Sequence, residues 1–334
     1  MRNFIKKLVY YLMSLFHVKR EGKAVVQFIV GYEGISGGSE AIANIANNLC
    51  GDFKVFFAIG PLSNFNLWLS SKVSRGITNG DIDFLIIDRS AALEDFELIA
   101  NRAKIVICSV HGFNRSAHGI EQQLANINIK YADVTHFVSE HQRSDFEGEY
   151  IQSVVIPNHC SAVATGCGPF DIGMVGMFNN PAKNIDLMIS EIEKLPNVRA
   201  IIWGRLSRVI DSNKVHFSGF SSNKDKVFSS FKVLFSLSLN ETFGMVVIQA
   251  MSAGKPCVLS SIEAHKMYEK CPGVFLVDPT DSEQIMVALK AAITMSESAN
   301  SRQEIRNHWQ DLYNDYAVKM QWLLFLDKIQ NQER

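Results

Sequence analysis

Between Lys232 and Ser261 the chain reads KVLFSLSLNETFGMVVIQAMSAGKPCVLSS, and two side chains in it could do chemistry together: the carboxylate Glu241 and the amide Gln249, eight positions on. Gly244, lacking a Cβ, lets the backbone approach a ligand. If a helix starts there, the amides of Gly244, Met245 and Val246 form a positive end suited to phosphate or to polarised hydroxyls. Gln249 follows Met245 by four residues, so both project from one helical face, back toward the loop that carries Glu241. Carboxylate and amide would then line one pocket. Taken singly, Glu241 also fits a solvated loop acid or a cap, and Gln249 a buried amide satisfied by neighbouring backbone.

The elements that must position these groups follow from the pattern around them. Val233 to Leu237 is a short apolar run expected as a buried strand, Ser238 to Thr242 a polar loop, and Met245 to Ala253 a helix stopped by Gly254 and Pro256. That helix is apolar on nearly every face except at Gln249, which predicts burial. Pro256 to Ser260 reads as the next strand. The unit is a parallel crossover, and in such sheets ligands sit at the carboxyl ends of strands.

The run from Asn240 through Glu241, Thr242, Phe243, Gly244 and Gln249 to Val258 resembles the signature of retaining glycosyltransferases of family 4, which have the GT-B architecture. The resemblance implies α/β structure with two Rossmann-like domains facing across a cleft. In that family a Glu before Phe-Gly and a second Glu eight positions later bind the donor sugar and the nucleotide ribose. Glu241 matches the first; the second is Gln249, which can bond hydroxyls but carries no charge. Phe243, Gly244, Met245 and Val246 are carried over as donor-binding positions.

The chain has 334 residues, enough for two domains, with 33 Lys plus Arg against 34 acids. That balance leaves no global basic field of the kind nucleic-acid binding favours. The six cysteines, at 50, 108, 160, 167, 257 and 271, show no Cys-x-x-Cys pairing. Most of them sit in apolar runs and are expected as small core residues of a reducing compartment.

Residues 1–20 carry Arg2, Lys6, Lys7, Lys19 and Arg20 and no acid, around an apolar run from Leu8 to Phe16. The run is shorter than the roughly 20 residues that span a bilayer. It reads equally as an interfacial helix on an anionic membrane face, with Tyr10, Tyr11 and Phe16 at headgroup level, or as a helix packed on the first domain or a frayed end.

After a strand at Ala24 to Val30, the loop Gly31 to Ser39 contains four glycines and leads into a helix at Glu40 to Leu49. It looks like the Gly-Gly-x-Glu turn of the same family, which makes Gly37 and Gly38 candidates for contact with donor phosphate or acceptor. Strands are expected at Phe53 to Ile59, Phe84 to Ile87, Ile105 to Val110, Val134 to Ser139 and Val154 to Pro157. His111 stands at the carboxyl end of its strand, where the resemblance puts a histidine that contacts the donor sugar. Gly-, Ala- and Ser-rich residues 160–170 read as a linker.

The second domain opens with a strand at Ile172 to Val175. The family then usually has Gly-Arg, with a Lys several residues later, the two cations neutralising the donor's diphosphate. Lys183 is present; Met177 or Phe178 stands where the Arg is expected, and Arg205, after a strand at Ala200 to Trp203, is the candidate substitute. Further strands are expected at Val215 to Gly219, which matches the family's strand whose following turn, here near Phe220, approaches the nucleotide base, and at Val274 to Val277. Gln303 to Ile329 has an apolar stripe at helical spacing. The expected division is 1–22, 23–160, 171–305 and a closing helix at 306–334 that packs back toward the first domain.

The resemblance thus implies a metal-independent enzyme, with no cofactor, that transfers a hexose with retention from a UDP- or GDP-sugar to a glycan or lipid-linked acceptor of the cell surface. His111 and Glu241 would act at the sugar; the protein would be cytoplasmic, with peripheral contact at the inner membrane face through residues 1–20. The alternatives are a degenerate subunit or scaffold without turnover and a nucleotide-sugar epimerase of the same architecture.

Overall fold

The structure, a computed structural model, describes residues 22–31, 34–59, 62–91, 93–112, 127–146 and 148–332. The basic segment 1–20 and two residues of the glycine loop, Tyr32 and Glu33, lie outside the described residues. Among the described residues thirteen strands form two sheets. The seven-stranded sheet contains β1 (Val25–Ile29), β2 (Lys54–Ala58), β3 (Ser74–Arg75), β4 (Ile82–Asp88), β5 (Ala103–Val110), β6 (Val134–Phe137) and β7 (Ser153–Val155), in the order 3-2-1-4-5-6-7. The six-stranded sheet contains β8 (Phe170–Met177), β9 (Ala200–Arg205), β10 (Val215–Gly219), β11 (Phe231–Ser236), β12 (Cys257–Ser260) and β13 (Val274–Val277), in the order 10-9-8-11-12-13. Every pairing is parallel.

The apolar runs explain this architecture. A parallel strand is covered on both faces, so it needs continuous Val, Ile, Leu and Phe. Leu85 and Ile87 of β4 belong to one buried cluster and Phe84 and Ile86 to another, one on each face of the first sheet. The second sheet is sandwiched in the same way, with Leu234 and Leu259 on one side and Val233, Phe235 and Val258 on the other. Cys108, Cys160, Cys257 and Cys271 are buried, without disulfide partners.

Helix α1 (Gly37–Leu49) starts three residues earlier than expected. Ser36 is extended and its side chain accepts from the Ser39 amide at 3.1 Å, an N-cap that draws Gly37 and Gly38 into the first turn. The second domain carries α2 (Ile185–Lys194), α3 (Lys224–Phe228), α4 (Met245–Ser252) and α5 (Ser282–Glu297).

The carboxy-terminal stripe forms two helices, α6 (Ala299–Leu312) and α7 (Asp315–Gln332). The break has a local cause: Asn314 Oδ1 accepts from the Ala317 amide at 2.6 Å and caps the second helix. Ile305 and Trp309 of α6 pack in a second-domain cluster with Ile248 and Met251. Val318, Trp322, Phe325 and Ile329 of α7 enter the first domain's core beside Phe28 and Phe57. At the crossing, the Cys160 amide donates to the Tyr313 carbonyl at 3.2 Å. Among the described residues no helix is long and apolar enough to cross a membrane.

Candidate active site

In each sheet the strand order reverses beside its first strand, between β1 and β4 and between β8 and β11. Ligands of doubly wound folds bind at such points, outside the carboxyl ends of the strands. Here the two points face each other across a cavity of about 600 Å³. The first domain lines it with the start of α1, with Asp88 at the end of β4 and Arg89 and Ser90 after it, and with His111 and Gly112 after β5. The second contributes the turn after β8, the ends of β9 and β10, and the loop and helix after β11.

Gly244 is the N-cap of α4 and has φ of 87°, a left-handed conformation that costs residues with a Cβ. It supplies no side-chain cap. The first amides of α4 have no carbonyl within the helix to bond, so they present positive partial charge to the cavity. Phe243, just before, is buried against Tyr268 and Tyr313, and its carbonyl accepts from Tyr268 Oη at 2.9 Å. That anchoring fixes the approach of the helix. Met245 and Val246 complete the turn at the cavity wall.

Lys183 and Glu241, expected in separate roles, form one ion pair between Lys183 Nζ and Glu241 Oε1. Both are mostly shielded, with 23% and 13% of their side chains exposed. The Leu239 amide donates to the Ala182 carbonyl at 2.8 Å, which holds the two loops together. A polyanion at the α4 amides would find this lysine shared with a carboxylate.

His111 sits opposite. Its Nε2 lies 3.0 Å from Ser109 Oγ, which lies 2.8 Å from His136 Nδ1, and His136 Nε2 lies 2.9 Å from the Ile156 carbonyl. A carbonyl only accepts, so His136 carries its proton on Nε2 and accepts the Ser109 hydroxyl at Nδ1. Ser109 then accepts from His111 Nε2–H. The chain leaves His111 Nδ1 proton-free, a buried acceptor without a partner. Burial and the nearby His136 push the His111 pKa down to about 3, and burial takes His136 to about 4. His111 is therefore a neutral acceptor with a fixed tautomer.

Gly37 and Gly38 bring α1 close to this wall. A Cβ on Gly38 would lie 3.2 Å from His111 Cβ, and one on Gly37 would lie 3.5 Å from Met245 Cγ. The domains also touch where the Ser139 hydroxyl donates to the Thr242 carbonyl at 2.9 Å.

Of the residues singled out in the sequence, Gly37, Gly38, His111, Lys183, Glu241, Phe243, Gly244, Met245, Val246 and Gln249 share the cavity. Arg205 does not line it: it is exposed, and its guanidinium lies over the Phe220 ring, 5.9 Å from the centroid. Phe220 itself faces the cavity. Sequence reasoning missed Glu40 and Lys224. Gln249 Nε2 donates to Glu40 Oε1 at 2.6 Å, and Lys224 Nζ donates to Glu40 Oε2 at 2.9 Å. The only sequence signal for Glu40 was its place in the Gly-Gly-x-Glu turn.

Residues 169–295 match the family model described as Glycosyl transferases group 1. Solved structures share the whole architecture. Sucrose-phosphate synthase from Thermosynechococcus elongatus superposes with a TM-score of 0.74 at 13% identity, over 92% of this chain and 99% of that one. Anabaena HepE in complex with UDP and glucose gives 0.73 at 16%, over 91% and 99%. The lipopolysaccharide outer core galactosyltransferase WaaB, in its apo form, gives 0.67 at 15%, over 91% and 99%. A comparison with curated proteins returned no match. The chain has the GT-B architecture, and its second domain is a glycosyl transferases group 1 domain.

Proposed function

We propose that this protein is a retaining, metal-independent glycosyltransferase that moves a hexose from a UDP- or GDP-sugar to a glycan or lipid-linked acceptor in cell-surface polysaccharide synthesis. The observation that carries the reading is the cavity between the two switch points, with the uncapped amino terminus of α4 on one wall and the Lys183–Glu241 pair beside it. Crystal structures of the similarly folded HepE hold UDP with glucose and UDP-glucose.

In this reading the α4 amides and Lys183 hold the diphosphate and stabilise it as it leaves. Glu241 orients the sugar ring, and His111 Nδ1 accepts one of its hydroxyls. The bond from C1 to the diphosphate oxygen breaks, the acceptor oxygen bonds C1 on the same face, and the acceptor's proton passes to the departing phosphate oxygen. No enzyme nucleophile is assigned. The first domain takes the glycan acceptor, and residues 1–20, with five basic residues and no acid, contact an anionic inner leaflet.

The test is thermal stabilisation by UDP, GDP, ADP and CMP, followed by turnover with the matching sugar donor and determination of the product's anomer. A ligand at a hundred times its Kd adds about 2.7 kcal/mol. Stabilisation by UDP or GDP that Lys183→Ala abolishes supports the reading; no shift with any nucleotide refutes it. A second reading, a subunit without turnover, is favoured by one observation: Arg205 lies outside the cavity, leaving Lys183 without its expected companion. Nucleotide binding without transfer to any acceptor would select it.

A further inference from the structure

Glu40 belongs to the first domain, yet its carboxylate is bonded entirely by the second. One oxygen takes Gln249 Nε2 at 2.6 Å and the other Lys224 Nζ at 2.9 Å, and all three residues line the cavity. Only 12% of the Glu40 side chain is exposed. The group is thus a held carboxylate, and it retains capacity: two carboxylate oxygens offer about four lone-pair sites, of which two are used.

The partner at 249 must donate for this arrangement to exist, and the Gln249 amide does so. A carboxylate there would lie at hydrogen-bond distance from Glu40, and two such groups repel until one takes up a proton. Gln249 and Glu40 are therefore complementary, with the negative charge on the opposite domain, one hydrogen bond away from position 249. Along α4, Gln249 lies four residues beyond Met245, a rise of roughly 6 Å. A phosphate at the α4 amides would place the vicinal hydroxyls of an attached pentose near Gln249 and Glu40.

We propose that Glu40 binds the nucleotide's ribose, its carboxylate accepting hydrogen bonds from the vicinal diol while Gln249 and Lys224 hold it in position. Glu40 is then a binding residue supplied from across the cleft, and occupation of the ribose site ties one domain to the other. This rests on the nucleotide-sugar reading given above.

The experiment is isothermal titration of UDP and 2′-deoxy-UDP, and of GDP and 2′-deoxy-GDP, into the full chain, the Glu40→Gln and Gln249→Glu variants and the exchanged pair Glu40→Gln/Gln249→Glu. Loss of one charge-assisted hydrogen bond is worth about tenfold or more in affinity. The wild type is expected to prefer the ribonucleotide by about that factor, and Glu40→Gln to lose most of the preference while binding the deoxynucleotide as before. Gln249→Glu should bind weakly, and the exchanged pair, which keeps one acid and one amide in the same space, should recover. An unchanged ribo-to-deoxy ratio in Glu40→Gln, or an exchanged pair no better than Gln249→Glu, overturns the proposal and leaves the nucleotide-sugar reading intact. Absence of binding by the wild type overturns both.

Discussion

Lys183 and Glu241, 58 positions apart, are bonded to each other at the cavity wall, so the cation expected to meet a diphosphate is already half neutralised. Removing either partner therefore has opposite effects on a bound nucleotide. Lys183→Ala should weaken UDP or GDP about 10- to 100-fold, the worth of a hydrogen bond to a charged group. Glu241→Gln should leave binding of the free nucleotide equal or tighter, because the lysine is released, while abolishing transfer of the sugar. Titration calorimetry on both variants, with turnover of the donor, checks this; weaker nucleotide binding by Glu241→Gln would contradict it.

Ser109 sets the tautomer of His111 without facing the cavity. Ser109→Ala removes the acceptor for His111 Nε2–H and frees the ring to protonate at Nδ1. Transfer should fall about tenfold or more, the cost of leaving a buried donor unpaired, with the Kd for the nucleotide unchanged. A parallel loss in nucleotide affinity would show that the serine acts on the fold instead.

The same two histidines predict acid sensitivity. Both have folded pKa values, about 3 for His111 and about 4 for His136, below the roughly 6.5 of an unfolded histidine. Between these values the unfolded chain binds more protons. Their stabilisation is complete above about pH 6.5 and is lost as the pH falls toward 4. At pH 5 each should cost about 2 kcal/mol. Urea midpoints measured from pH 7 to pH 4.5 should drop steeply, and His136→Gln should flatten the slope; a flat wild-type profile would disprove the assignment.

Gly244→Ala forces a Cβ onto a residue with φ of 87° and brings it to 3.2 Å from Val247 Cγ2. The left-handed conformation alone should cost about 1–2 kcal/mol. Because relief of the strain would turn the α4 amides, nucleotide affinity should drop with the melting temperature. A variant as stable and as tightly binding as wild type would refute the cap's role.

Trp322→Ala should cost about 3–5 kcal/mol in chemical unfolding, as the side chain is fully enclosed and touches the ring of His136 at 4.7 Å between centroids. A loss below about 1 kcal/mol would mean that α7 is not integral to the first core.

Much of this was legible in the sequence, because strands such as Val274–Val277 are unbroken apolar runs and glycines mark several of the turns. Val215 to Gly219 and Val274 to Val277 were bounded as observed. The start of α1 was missed because a serine cap, not hydrophobic periodicity, sets it. Arg205 falls outside the cavity although its strand reaches it: β9 runs through Arg205 in register with β8, and the guanidinium lies over the Phe220 ring. Glu40 meets Gln249 across 209 positions, a contact that no local pattern encodes.

The return of α7 to the first domain has a consequence for how the molecule is made. Residues 26–156 supply most of that core, but Val318, Trp322, Phe325 and Ile329 close it. During synthesis a ribosome delivers the amino-terminal half first and finishes the second domain before these side chains emerge. The half that is born first is completed last, and until then it keeps open an apolar groove shaped for a helix of its own chain.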